Sequence, residues 1–137
     1  MRLRGVMLAA AISAAAFVIS NSAAAFGQRT ALSMLDVLQQ GRWELRIRDG
    51  GGVQGLCLAD HRRLIQLRHP DQACDRLILE DTANSITVQY TCRGRGYGRT
   101  HIRRESAQLI QMETQGIADG VPFEFAAEGR RVGDCRF

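Results

Sequence analysis

Apolar and polar residues alternate one for one in three separate stretches of the chain. Between Arg42 and Arg48, Trp43, Leu45 and Ile47 alternate with Arg42, Glu44, Arg46 and Arg48. Between Ser85 and Cys92, Ile86, Val88, Tyr90 and Cys92 alternate with Ser85, Thr87, Gln89 and Thr91. Between Pro122 and Glu128, Phe123 and Phe125 fall on one face and Glu124 and Glu128 on the other. A period of two marks a strand with one face buried. The alternation therefore predicts a shared interior of Trp43, Leu45, Ile47, Ile86, Val88, Tyr90, Phe123 and Phe125, which in a strongly curved sheet would line an apolar cavity. A register slip of one residue would turn a strand's whole set outward, so the set stands or falls together.

The segments between these stretches complete the outline. Thr30 can cap a helix over Ala31 to Gln40, with Leu32, Leu35 and Leu38 on its inner face and Gly41 as its stop. Leu35 and Leu38 are expected to pack on the interior. Asp49-Gly50-Gly51-Gly52 is a turn into a return strand, Val53 to Leu58. Asp60 caps a second short helix containing Leu64, Ile65 and Leu67, ended by His69-Pro70-Asp71. Arg76 to Glu80 reads as a strand and Asp81 to Asn84 as a turn. Arg93 to Gly98 is a glycine-rich loop. Arg99 to Glu105 and Gln108 to Thr114 form a hairpin around Ser106 and Ala107, and Asp119-Gly120 turns the chain into the last strand. Six to eight short strands and two short helices predict a mainly β domain, an antiparallel meander curved into a sheet or partial barrel.

The first 25 residues stand apart. Arg2 and Arg4 precede an Ala-dominated apolar run, and Ala23-Ala24-Ala25 offers small residues for cleavage. This is the layout of a secretory signal peptide. The run is about 15 residues, shorter than the ~20 that span a bilayer. The expected product is one domain, residues 26–137, with no transmembrane anchor after cleavage. No Cys precedes Cys57 and no Arg pair opens the chain, so the reading is a periplasmic protein exported by the Sec route and not a lipoprotein. The chain has 18 basic and 14 acidic residues, and every basic one is Arg. Losing Arg2 and Arg4 leaves a small, interspersed excess, which argues against nucleic acid as a partner.

Four cysteines in an exported chain of this size predict two disulfides. Sequence order favours Cys57–Cys74 with Cys92–Cys135. There is no C-x-x-C, and oxidised thiols are not thiolate ligands, so neither a metal nor another cofactor is expected.

Candidate chemistry concentrates in one stretch. Arg93-Gly94-Arg95-Gly96-Tyr97-Gly98-Arg99 resembles an anion nest or an RGG segment, but no helix follows it as a dinucleotide site requires. A tight hairpin turn needing positive φ accounts for its glycines. Beyond it His101, Arg103 and Glu105 recur at strand period. Arg95, Tyr97, Arg99, His101, Arg103 and Glu105 are the candidate binding residues. No nucleophile elbow, zinc-protease motif or carboxylate pair accompanies them, and Glu124 and Glu128 stand about 13 Å apart along a strand. No residue is assigned as catalytic.

A short helix, then Gly41-Arg42-Trp43-Glu44, four spaced Cys, Tyr90-Thr91-Cys92 before a Gly-rich loop, and a terminal Gly133-Asp134-Cys135 together resemble the secreted bacterial proteins grouped as domain of unknown function 3617. The resemblance covers most of residues 26–137 and implies an exported, disulfide-bonded β domain with no assigned reaction. The functional expectation is a non-enzymatic binding or structural module for an apolar or amphipathic ligand or for an envelope protein. The alternative is a periplasmic hydrolase or anion-binding enzyme working from the His101, Arg103 and Glu105 face.

Overall fold

Seven antiparallel strands form one open sheet in the order β2-β1-β7-β6-β5-β4-β3. The computed structural model describes residues 31–137; the expected signal peptide and the Thr30 cap lie outside them. The strands are β1 (Gly41–Ile47), β2 (Gly52–Leu58), β3 (Asp75–Asp81), β4 (Ser85–Cys92), β5 (Gly96–Ser106), β6 (Leu109–Ala118) and β7 (Val121–Gly133). β3 to β7 are a true meander. The β1–β2 hairpin docks on its far side, through antiparallel pairing of β1 with β7. The link from β2 to β3 must therefore cross the whole sheet. It does so through a 3₁₀ helix, His61–Gln66, whose start is capped by the Asp60 carboxylate accepting from the Arg62 N–H at 2.9 Å.

That crossing covers the apolar face. Ile47, Ala127, Met112, Ile102 and Ile86 form one row across five paired strands. All but Ile47, which is partly buried, are shut off from solvent. Leu64 and Ile65 of the 3₁₀ helix and Met34, Leu35 and Leu38 from the N-terminal segment join them in a single apolar cluster. Trp43, Leu45, Val88 and Tyr90 are fully buried in it as well. The interior is a packed core, with Trp43 Nε1 donating to the Gln39 carbonyl at 2.9 Å. Buried hydroxyls are satisfied too: Thr100 Oγ1 donates to the Ile65 carbonyl at 2.6 Å, tying the helix to the sheet. Burial pushes the Tyr90 phenol up to about 12. Residues of both outermost strands, Leu56 and Arg76, line one pocket with the 3₁₀ helix. The sheet thus curls around that helix without closing into a barrel.

Four expectations need correcting. The first helix is one turn, α1 (Ser33–Asp36), because Leu32 sits at φ 61, where an L-residue cannot continue a right-handed helix. Gly41 is the first residue of β1 and not a helix stop. Phe125 is half-buried and packs against the core as Ile47 does, but Phe123, also half-buried, is not part of that cluster; the Arg68 guanidinium lies 5.9 Å from the Phe123 ring centre and 5.6 Å from that of Phe125. The fourth correction is the disulfide pairing. The bridges are Cys57–Cys135 and Cys74–Cys92, not Cys57–Cys74 and Cys92–Cys135. Cys57 and Cys74 belong to opposite edges of the sheet. Asp75 pairs with Thr91 in the β3–β4 register, so Cys74 and Cys92 come next to each other one step beyond. Arg42 pairs with Cys57 on one side and Gly133 on the other, which brings the tail after β7 across the end of β1 to β2. Closed loops of 78 and 18 residues correspond to about 4.5 and about 3 kcal/mol of unfolded-chain entropy.

The glycine-rich loop is a tight turn between β4 and β5. Gly96, at φ 124, holds a conformation that favours glycine. At Gly98 a Cβ would run into the Tyr90 ring, so glycine lets that ring lie flat under the sheet.

Candidate functional site

The second face of the sheet carries no covering element among the described residues, and its residues are set by the same register. One row runs Ala126, Glu113, His101, Thr87 and Glu80; the next runs Glu124, Gln115, Arg99 and Gln89; the third runs Pro122, Ile117, Tyr97 and Thr91. The face is hollowed. Two adjoining depressions of about 900 and 590 Å³ share Arg99, Gln115 and Glu124. Together they make a trough whose far end is formed by Tyr97, half-exposed, and Pro122.

Three of the six candidate binding residues, Tyr97, Arg99 and His101, line this trough. The other three do not join it. Arg95 sits in the β4–β5 turn, 3.6 Å from Asp119. Arg103 and Glu105 are bound to each other at 2.9 Å, and Arg103 faces a smaller hollow with Arg48 and Gln111. His101 borders both the trough and that smaller hollow, so it stays beside Arg103, whereas Glu105 lines neither.

His101 takes other partners. Thr87 Oγ1 donates to Glu80 Oε2 at 2.9 Å and lies 2.9 Å from His101 Nδ1. A threonine hydroxyl has one proton. With that proton given to Glu80, Nδ1 must be the donor to Thr87. In the neutral ring Nε2 then keeps its lone pair. Hydrogen bonds from Thr87 first, and from Ser85, hold the Glu80 carboxyl below the usual range, so it stays a carboxylate at the head of this chain. His101 Nδ1 is 3.7 Å from Glu80 itself.

The trough differs from the rest of the open face in how its polar groups are spent. Beyond it, toward the β5–β6 turn, Glu128 accepts from Gln111 and Arg130, and Gln111 accepts from Arg48 at 2.6 Å. Inside it, the side chains of Gln89, Arg99, Glu113, Gln115 and Glu124 have no hydrogen-bond or ion-pair partner among the described residues. Sequence reading missed Gln89, Glu113, Gln115, Thr87 and Glu80. Thr87, Gln89, Glu113 and Gln115 sit at polar positions of alternating strands and Glu80 at the end of an apolar run, and only the register shows that they are neighbours.

Among the described residues no three His, Cys, Asp or Glu side chains are grouped to hold a metal ion, and no helix is long and apolar enough to cross a membrane. No protein-family model matches the chain, and neither a curated protein nor a solved structure matches it.

Proposed function

We propose that the chain is an exported, periplasmic, non-enzymatic binding module of the kind grouped as domain of unknown function 3617, and that its open-face trough takes an amphipathic ligand. The apolar part of the ligand lies against Tyr97 and Pro122, and its polar part spans Arg99, Gln115, Glu124 and His101. One observation carries this reading: a concave surface whose planar amide, guanidinium and carboxylate groups are unpartnered, beside rows in which the same groups are paired. Hydrogen-bonding capacity left unspent in a hollow is what fixes the orientation of a bound small molecule. Two disulfides fit an oxidising, exported location.

The test is native mass spectrometry of protein incubated with periplasmic and envelope extract. A small-molecule adduct is expected on the wild type and not on a Tyr97→Ala, Arg99→Ala, Gln115→Ala variant of equal thermal stability. An adduct retained by that variant moves the site elsewhere.

A specific observation favours a second reading, an enzyme using His101 as general base. The Glu80–Thr87–His101 chain orients the ring and leaves Nε2 available. Turnover of any envelope ester or glycan that His101→Gln abolishes, without loss of fold, would establish it in place of the binding module.

A further inference from the structure

A second hollow lies on the other side of the sheet, where its two edges approach each other across the 3₁₀ helix. It measures about 320 Å³, at the small end of ligand pockets. Leu56 and Leu58 of β2 and Leu67 after the helix are among its lining residues, and its charged wall is Arg62, Arg63 and Arg76 with Asp60 and Asp71, three cations against two carboxylates. The three arginines are not equivalent. Arg62 is spent on Asp36 at 2.6 Å and Asp60 at 3.6 Å. Neither Arg63, whose Nη1 donates to the Cys57 carbonyl at 3.4 Å, nor Arg76 has an acidic partner within ion-pair distance among the described residues.

Arg76 is nevertheless held in place. Its Nη2 donates to Gln66 Oε1 at 2.7 Å. Gln66 is 7% exposed, and its amide nitrogen donates to the carbonyls of His69 and Gln72, both at 2.9 Å. The amide therefore cannot flip, and its oxygen is fixed toward the guanidinium. A buried neutral group thus orients an uncompensated cation at the edge of an apolar floor. Guanidinium has five donors, one of which is used here, and it matches a carboxylate or phosphate through two parallel hydrogen bonds.

We propose that this pocket is a ligand site separate from the trough, one that takes an alkyl chain bearing an anionic headgroup. Arg76 binds the headgroup, Gln66 positions Arg76, and Leu56, Leu58 and Leu67 receive the chain. Carboxylate-headed and phosphate-headed chains share this chemistry.

Titration calorimetry with monomeric dodecanoate, dodecyl phosphate, dodecyl maltoside and dodecyltrimethylammonium tests it. The two anions are expected to bind, with their relative affinity telling a carboxylate site from a phosphate site; the neutral and cationic chains are expected to bind at least tenfold more weakly. Arg76→Gln should weaken the anions by about tenfold to a hundredfold, the range of a charge-assisted hydrogen bond. It should leave the neutral chain unchanged. Gln66 is buried, so Gln66→Met is read only if its thermal midpoint stays near wild type; Arg76→Gln, at an exposed residue, decides the matter on its own. Arg99→Ala, in the trough, should change none of these affinities. Equal binding of all four headgroups, no binding of either anion, or anion affinity unaltered by Arg76→Gln would each overturn the proposal. Failure of the trough variant to lose its own ligand would not bear on it.

Discussion

The two faces of this sheet are built from the same strands and the same alternation, yet they have opposite fates. Ile86, Val88 and Tyr90 are covered; Thr87, Gln89 and Thr91, one residue along, lie on the other side, where Gln89 and Thr91 are exposed and Thr87 is buried between Glu80 and His101. Within each strand the apolar positions mark the interior face. The β2–β3 link, which crosses the sheet once, covers that face with Leu64 and Ile65. Apolar packing is concentrated on that side, and on the other side the trough keeps polar groups that the fold does not use.

The first way to break this comparison is through a bond that lies outside the core. Cys57 is exposed, on the uncovered side of β2, whereas Cys92 is buried in the core. If contacts alone set stability, losing Cys57–Cys135 would matter little. The bridge acts on the unfolded chain instead, so replacing both cysteines by Ser should cost about 4.5 kcal/mol, against about 3 for Cys74–Cys92. Urea denaturation of the two double variants measures both. Mild reductant should open Cys57–Cys135 first, because an attacking thiolate can reach it; peptide mapping that finds Cys74–Cys92 reduced first would reverse the assignment of faces at these positions.

Trp43 tests the covered face directly. It is fully buried, and its indole nitrogen is satisfied by Gln39. Trp43→Ala should cost about 3–5 kcal/mol, as other buried aromatic truncations do. In the wild type its emission should be blue-shifted and protected from quenchers, and unmoved by amphiphiles that bind elsewhere. A solvent-like spectrum in the folded protein would mean that the faces are reversed.

Acid should weaken the covered face before the open one. His61 is buried against Trp43, with ring centres 5.5 Å apart, and Nε2 lies 3.2 Å from the Gln39 carbonyl. Burial, the largest cause, lowers its pKa from 6.5, while the Gln39 carbonyl and the Asp60 and Asp36 charges partly oppose the shift. The folded state therefore binds this proton less readily than the unfolded state does. Stability from this site is complete above about pH 6.5 and falls as pH drops from there toward the lowered folded value. Asp36, paired with Arg62, has its pKa lowered too, but its contribution is lost only in the carboxylate range. The urea midpoint should drop between about pH 7.5 and pH 5.5, and His61→Gln should flatten that slope. A midpoint independent of pH over this window would contradict the burial of the neutral ring.

How much of this was legible follows from what alternation can and cannot carry. It gave the strand character of β1 and β4 and the inward set from Trp43 to Tyr90, because period two is a property of one strand. It overrated Phe123, since a strand's face does not say how far its end projects past the covering element, whereas Phe125 does pack against the core. The helix pattern of Leu32, Leu35 and Leu38 correctly marked buried residues, but the left-handed Leu32 and the hydrogen bond from Gln39 N to the Ala107 carbonyl limit the helix to one turn. The disulfides could not be paired by sequence order, because the distance between cysteines depends on the β2–β3 crossing. The site was half visible for the same reason. Tyr97, Arg99 and His101 lie on one strand and could be grouped, whereas Gln89, Glu113, Gln115 and Glu124 come from its neighbours. Arg76 gave no signal at all, since what singles it out is the buried Gln66 behind it.

The smallest expected effect sharpens the comparison most, because it separates stability from binding on the open face. Arg46 and Gln115 both point away from the core, on the face that no element covers among the described residues, and both are exposed. Neither makes a side-chain hydrogen bond within the described residues, so truncating either to Ala removes no contact the fold relies on. Each should shift stability by no more than about 0.5 kcal/mol. They differ in place: Gln115 lies where the two depressions of the trough meet, and Arg46 lies outside both. Gln115→Ala should therefore weaken the trough ligand, and Arg46→Ala should not, at matched urea midpoints. If both variants lose the ligand equally, the face acts through diffuse charge and the trough is not the site. If Gln115→Ala also destabilises by more than about 1 kcal/mol, its amide is part of the fold after all, and the unspent polar row is a structural ladder.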